Sequence, residues 1–122
     1  MAGEPASAWQ QGQCHCGAVR FEFLLASLKG VRCNCSYCVR KAALHHRVPA
    51  QSFRLLAGAE QLSTYQFGTM RARHHFCRQC GIHTHCHPRS APEQVNVNLH
   101  CIDAVQDAPI EVSLHDGRRW AA

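Results

Sequence analysis

The chain has 122 residues, a formal charge of +5, and 46% apolar against 17% charged residues. That length suits one domain with a modest core, and the composition excludes a disordered chain. No apolar run approaches the roughly 20 residues needed to cross a bilayer, so the expectation is a soluble protein with no membrane partner.

In chain order, residues 1–11, "MAGEPASAWQQ", carry neither the basic start nor the apolar stretch of a secretory signal. They are expected to be a flexible leader ahead of a single domain over 12–122, with a cytoplasmic location. From Gly12 onward the dominant pattern is period two, which marks half-buried strands. "GAVRFEF" places Val19, Phe21 and Phe23 on one face, with Arg20 and Glu22 on the other. "SYCVRKAAL" reads as one helical turn with Ser36 as its cap. "QLSTYQF" alternates Leu62, Thr64 and Gln66 against Ser63, Tyr65 and Phe67. "RARHHFC" and "GIHTHCH" read as two strands joined across "CRQCG". "QVNVNLH" sets Val95, Val97 and Leu99 against Asn96, Asn98 and His100. Gly30, Pro49, Gly58, Gly68 and Pro88 are turn signals. The fold class expected is mainly β, built from short antiparallel strands, with Phe21, Phe23, Phe53, Tyr65 and Phe67 in the core.

Nine cysteines are present, an odd number that cannot all pair as disulfides, and no export signal accompanies them. In a reducing compartment clustered thiols more often hold metal. Seven fall into tight groups: "CHC" (Cys14, Cys16), "CNCSYC" (Cys33, Cys35, Cys38) and "CRQC" (Cys77, Cys80). A C-x-C on a strand presents two sulfurs to the same side, and a C-x-x-C closed by glycine is a knuckle whose sulfurs converge. Zinc takes about four such ligands. Spacing therefore divides the seven into a local trio and two distant pairs. The pairs make a closed, structural four-thiolate site. The trio leaves a fourth position for a visitor, although Cys86, Cys101 or a histidine could close it. Zinc with three thiolates is a weak Lewis acid for water but remains soft, so a substrate thiol is the natural guest.

The basic charge is weak support for a polyanion partner. Seven ionised ligands and two zinc ions would bring +5 to about +2. Arg32, Arg40, Lys41, Arg73 and Arg78 all lie near cysteines and can offset thiolate charge.

The segments "GQCHCGAVRFEF", "VRCNCSYCVRK", "VPAQSFRLLAGAEQLSTYQF", "HHFCRQCGIHTHCHPR" and "VNVNLHCID" resemble, in order and spacing, the glutathione-dependent formaldehyde-activating enzyme family. That family includes the centromere protein V domain. The resemblance runs from about Gly12 to Asp103. It implies a β-tent fold with two zinc ions, a structural one on Cys14, Cys16, Cys77 and Cys80 and a catalytic one on Cys33, Cys35 and Cys38. It also implies a reaction: the thiol of glutathione adds to formaldehyde to give S-(hydroxymethyl)glutathione, carbon–sulfur lyase chemistry in reverse. The alternative is a non-catalytic zinc-stabilised module that binds a protein or nucleic acid.

The remaining candidates have plainer readings. Cys86 should face away from His83, His85 and His87, which share one strand face as a polar patch. Cys86 and Cys101 are expected to be small buried residues, or else one of them lines the site. One of the histidines can take the thiol proton. Arg73 and Arg89 can meet a carboxylate of glutathione.

Overall fold

A computed structural model describes residues 9–116. The described chain is mainly β, in two sheets. The smaller sheet has three antiparallel strands: β1 (Trp9–Gln13), β2 (Arg20–Leu24) and β5 (Phe53–Ala57), with β2 central. The larger sheet joins β3 (Lys29–Cys33), β4 (His45–Pro49), β6 (Leu62–Tyr65), β7 (Arg73–Cys77), β8 (His83–His87), β9 (Gln94–Asn98) and β10 (Glu111–His115). Its order is β10-β3-β4-β9-β8-β7-β6. All pairings are antiparallel except β10 on β3, which is parallel.

Alternation explains how the sheets meet. Phe21 and Phe23 of β2 are fully buried between exposed or half-buried neighbours. They pack with Leu25 against Val48 of β4, Val95 and Val97 of β9, and Leu99 and Ile102 beyond β9. Each buried apolar side chain of this size contributes about 1.5–3 kcal/mol. One face of the large sheet is therefore covered by the small one. The opposite face of β4, β8 and β9 carries polar residues, and that is where the site lies.

Several expectations are corrected. Trp9–Gln11, expected within a leader over 1–11, pair with β2 as part of β1; residues 1–8 lie outside the described residues. Arg54 stacks on the Trp9 ring at 4.2 Å and donates to Glu22 at 2.8 Å, which ties the small sheet together at its start. Gly30 is no turn but sits inside β3, where Leu44 occupies the space a Cβ would fill, at 2.7 Å. The helical turn is α1 (Cys38–Lys41), and its cap position is Tyr37 rather than Ser36, with no side-chain cap bond. β6 stops at Tyr65, which is exposed instead of core; it joins Tyr37 and Phe67 in an aromatic group.

The strand after the knuckle differs most. His75 pairs with His85, but Phe76 pairs with His83, so Thr84 is an extra residue in a β-bulge. A bulge inverts the facing of residues on its two sides. His83 therefore shares a face with Cys86, not with His85 and His87.

Candidate metal centres

The four-sulfur group forms where β1 ends and β7 turns into β8. The N–H of Cys14 donates to Val19 O at 3.1 Å and that of Gly17 to Cys14 O at 3.2 Å, which folds "CHCG" into a tight loop. The N–H of Gly81 donates to Cys77 O at 2.7 Å, and Gly81 has φ of 81°, a conformation glycine adopts without strain. The sulfurs of Cys14, Cys16, Cys77 and Cys80 all lie within 4.8 Å of one another. Cys16 Sγ is 3.7 Å from both Cys14 Sγ and Cys77 Sγ. A tetrahedron with arms of about 2.3 Å has edges of about 3.8 Å, so an ion of zinc's size fits among them.

Protonation in this group is divided. The Ala18 N–H favours the Cys16 thiolate, yet burial and three neighbouring sulfurs push Cys16 up to about 11. Burial acts against Cys80 as well, but backbone N–H groups and the neighbouring thiols hold it at about 6. Four adjacent thiolates cannot all ionise without a cation, and a bound metal supplies one.

The three-sulfur group is built differently. Cys33 ends β3, Cys35 lies in the loop, and Cys38 opens α1. Their sulfurs also lie within 4.8 Å of one another. The Cys38 N–H donates to Cys35 Sγ at 3.3 Å. Burial pushes the Cys33 and Cys38 thiols up. Burial also acts on Cys35, but the Cys38 and Tyr37 N–H groups outweigh it and hold that thiol below its usual value.

This trio opens onto a cavity of about 730 Å³, lined also by His45, Arg47, His74, Cys86, Arg89 and Asn96. A second, smaller cavity of about 270 Å³ lies between Cys33, Cys38, Val39 and Leu114. Cys38 Sγ is 3.6 Å from His45 Nε2. Lys41, at the end of α1, points inward. Its Nζ is 3.1 Å from His74 Nδ1 and 3.2 Å from His83 Nε2, and lies over the Tyr37 ring.

The remaining candidates fall into place around this cavity. Cys86 lines it and is buried, and one ligand atom each of His45, His83 and Cys86 lie within 4.8 Å of one another. Cys101 does not line it; it is buried behind, where its Sγ donates to His83 O at 3.4 Å. Asn98 donates to the same carbonyl at 2.9 Å and accepts from the Leu44 N–H at 3.2 Å, fixing β8 against the start of β4. Of the two arginines, Arg89 lines the cavity, whereas Arg73 is an exposed residue of β7 opposite His87. Sequence reasoning missed His45, Arg47, His74 and the inward Lys41.

His75, His85 and His87 lie on the covered face and are satisfied there. His75 Nδ1 meets Thr64 Oγ1 at 2.9 Å, His85 Nδ1 meets Thr84 Oγ1 at 2.9 Å, and His87 Nδ1 donates to Gln94 O at 3.1 Å.

Among the described residues, no helix is long and apolar enough to cross a membrane. A mainly β protein with two converged thiol groups, each able to hold a metal ion, is the class that this fold and site define. The family described as glutathione-dependent formaldehyde-activating enzyme matches residues 9–115, and the chain belongs to that family. The crystal structure of a Rhodobacter sphaeroides protein is similar, with a TM-score of 0.76 and 40% identity over 84% of this chain and 99% of that one.

Proposed function

We propose that the chain is a zinc-dependent, cytoplasmic carbon–sulfur lyase that adds the thiol of glutathione to formaldehyde or a related aldehyde. Cys14, Cys16, Cys77 and Cys80 hold a structural zinc ion, and Cys33, Cys35 and Cys38 hold a catalytic one. A zinc ion on three thiolates supplies a soft fourth position that favours a sulfur ligand and its ionised form.

The observation that carries this reading is the asymmetry of the two centres. One has four sulfurs and closes on itself; the other has three and faces a cavity of about 730 Å³. That volume falls within the roughly 300–1,000 Å³ usual for small-molecule sites. Arg47 and Arg89 on its walls are suited to the two carboxylates of glutathione. Arg47 Nε already donates to Asn96 Oδ1 at 3.1 Å, which holds the guanidinium in place.

In the reaction the thiol loses its proton and the sulfur bonds to the carbonyl carbon. The carbonyl π pair becomes an alkoxide, which takes up a proton to give the hydroxymethyl thioether. The same addition proceeds slowly unaided, so the test is acceleration. Two-dimensional exchange NMR of glutathione with formaldehyde should show faster interconversion when the zinc-loaded protein is present. Exchange at the buffer rate, with glutathione leaving the metal untouched, would favour a non-catalytic binding module.

A further inference from the structure

Lys41 Nζ lies between two histidine rings, His74 and His83. An ammonium group only donates hydrogen bonds. With Lys41 charged, the two ring nitrogens beside it, His74 Nδ1 at 3.1 Å and His83 Nε2 at 3.2 Å, must both accept. Each neutral imidazole then carries its single hydrogen on the other nitrogen. Those nitrogens, His74 Nε2 and His83 Nδ1, are buried and have no hydrogen-bond partner among the described residues. Leaving a buried donor unpaired is costly, so such a donor invites an acceptor from a ligand.

The two differ in placement. His74 lines the large cavity together with Cys33, Cys35 and Cys38. Its ring is held by Tyr37, 4.5 Å away between centroids, and by Phe67, stacked at 5.6 Å. His83 lies deeper and serves as the second anchor for Lys41. Lys41 Nζ thus contacts, through Nδ1, a histidine whose ring is part of the cavity wall.

We infer that Lys41 and His74 form a proton relay that protonates the alkoxide oxygen left when a thiolate adds to the carbonyl carbon. This rests on the lyase reading above and adds the residues that complete the reaction. His74 gives its Nε2 hydrogen to the oxygen while Nδ1 takes a proton from Lys41. Lys41 is left neutral, and the proton shed by the next substrate thiol restores it. One proton enters and one leaves per turnover. His74 is the catalytic residue, and Lys41 is a positioning residue that acts through it. Burial lowers the proton affinity of Lys41.

The test uses full-length, zinc-loaded protein with 15N-labelled histidine. NMR should show hydrogen on Nε2 of His74 and on Nδ1 of His83 in the absence of substrate. Lys41→Met should abolish that fixed tautomer pair. Lys41→Arg should keep it, because arginine donates but does not give up its proton. Both variants, and His74→Gln, should retain their zinc yet slow the accelerated addition about 100-fold, the low end of general acid catalysis. Wild-type tautomers of the opposite kind would overturn the relay without any variant. Accelerated exchange in wild type, matched by Lys41→Arg and His74→Gln, would overturn the relay alone. No acceleration by wild type would overturn the lyase reading and the relay with it.

Discussion

His75 and His85 face each other across β7 and β8, yet their neighbours Phe76 and His83 also face each other. The count on the two strands differs by one residue, Thr84. That difference sends His83 to the cavity side and keeps His85, 4.6 Å from the Phe53 ring between centroids, in the core. Thr84 is fully buried, and its hydroxyl meets His85 Nδ1 at 2.9 Å. Replacing it by valine keeps the volume and removes the bond. Thr84→Val should cost about 1–3 kcal/mol, the penalty for an unpaired buried polar group. Denaturant unfolding at neutral pH with metal in excess measures it.

The four-sulfur group joins segments 61 residues apart, Cys16 to Cys77. Structural zinc sites contribute about 10–16 kcal/mol of apparent folding energy, against a usual total stability of about 5–15 kcal/mol. Chelation should therefore unfold the chain, and Cys77→Ser should behave as chelated wild type does. Circular dichroism before and after chelator follows this, and a native thermal transition in metal-free protein would oppose it.

The three-sulfur group spans the last residue of β3, a loop and a single helical turn, so loss of the metal proposed there should spare the fold. Cys35→Ser should keep the four-thiolate metal and a cooperative thermal transition. It should lower acceleration of the glutathione–formaldehyde exchange to the buffer rate. Metal analysis alongside exchange NMR checks both parts.

The histidines on the covered face predict a pH response. Burial, with His75 and His87 nearby, pushes His85 down to about 3, and burial pushes His75 down to about 4, from an ordinary value of 6.5. The unfolded chain then binds more protons than the folded one between those values, so stability rises with pH across that window. Stability should be complete above about 6.5 and fall as the pH drops toward about 4. Acid also releases metal from thiolates, which acts in the same direction. His85→Gln separates the two effects: its unfolding midpoint should depend less steeply on pH than that of wild type.

Much of this could be read in the residues themselves. The three cysteine groups are local patterns, and tight turns at Gly17 and Gly81 shape the two pairs. Period two located β2, β8 and β9 because each has one face against a core. The sequences of β1, β3 and β4 carry little alternation, and β10 is exposed along its whole length. Pairing of β10 with β3 is a long-range choice that no local pattern encodes. The bulge at Thr84 is likewise invisible to alternation, which groups His83 with His85 and His87. The Lys41 cluster depends on partners 33 and 42 residues away. A lysine among arginines and thiolates reads as surface charge until the sheet brings His74 and His83 beside it.

The most direct test of the account is the zinc absorption edge of the loaded protein, recorded with metal content, before and after glutathione is added. The account predicts that glutathione changes the donor shell, or the occupancy, of the Cys33–Cys35–Cys38 zinc while leaving the four-thiolate zinc unaltered. A spectrum and a metal content that glutathione leaves unchanged, with both ions already held by four protein donors, would contradict it.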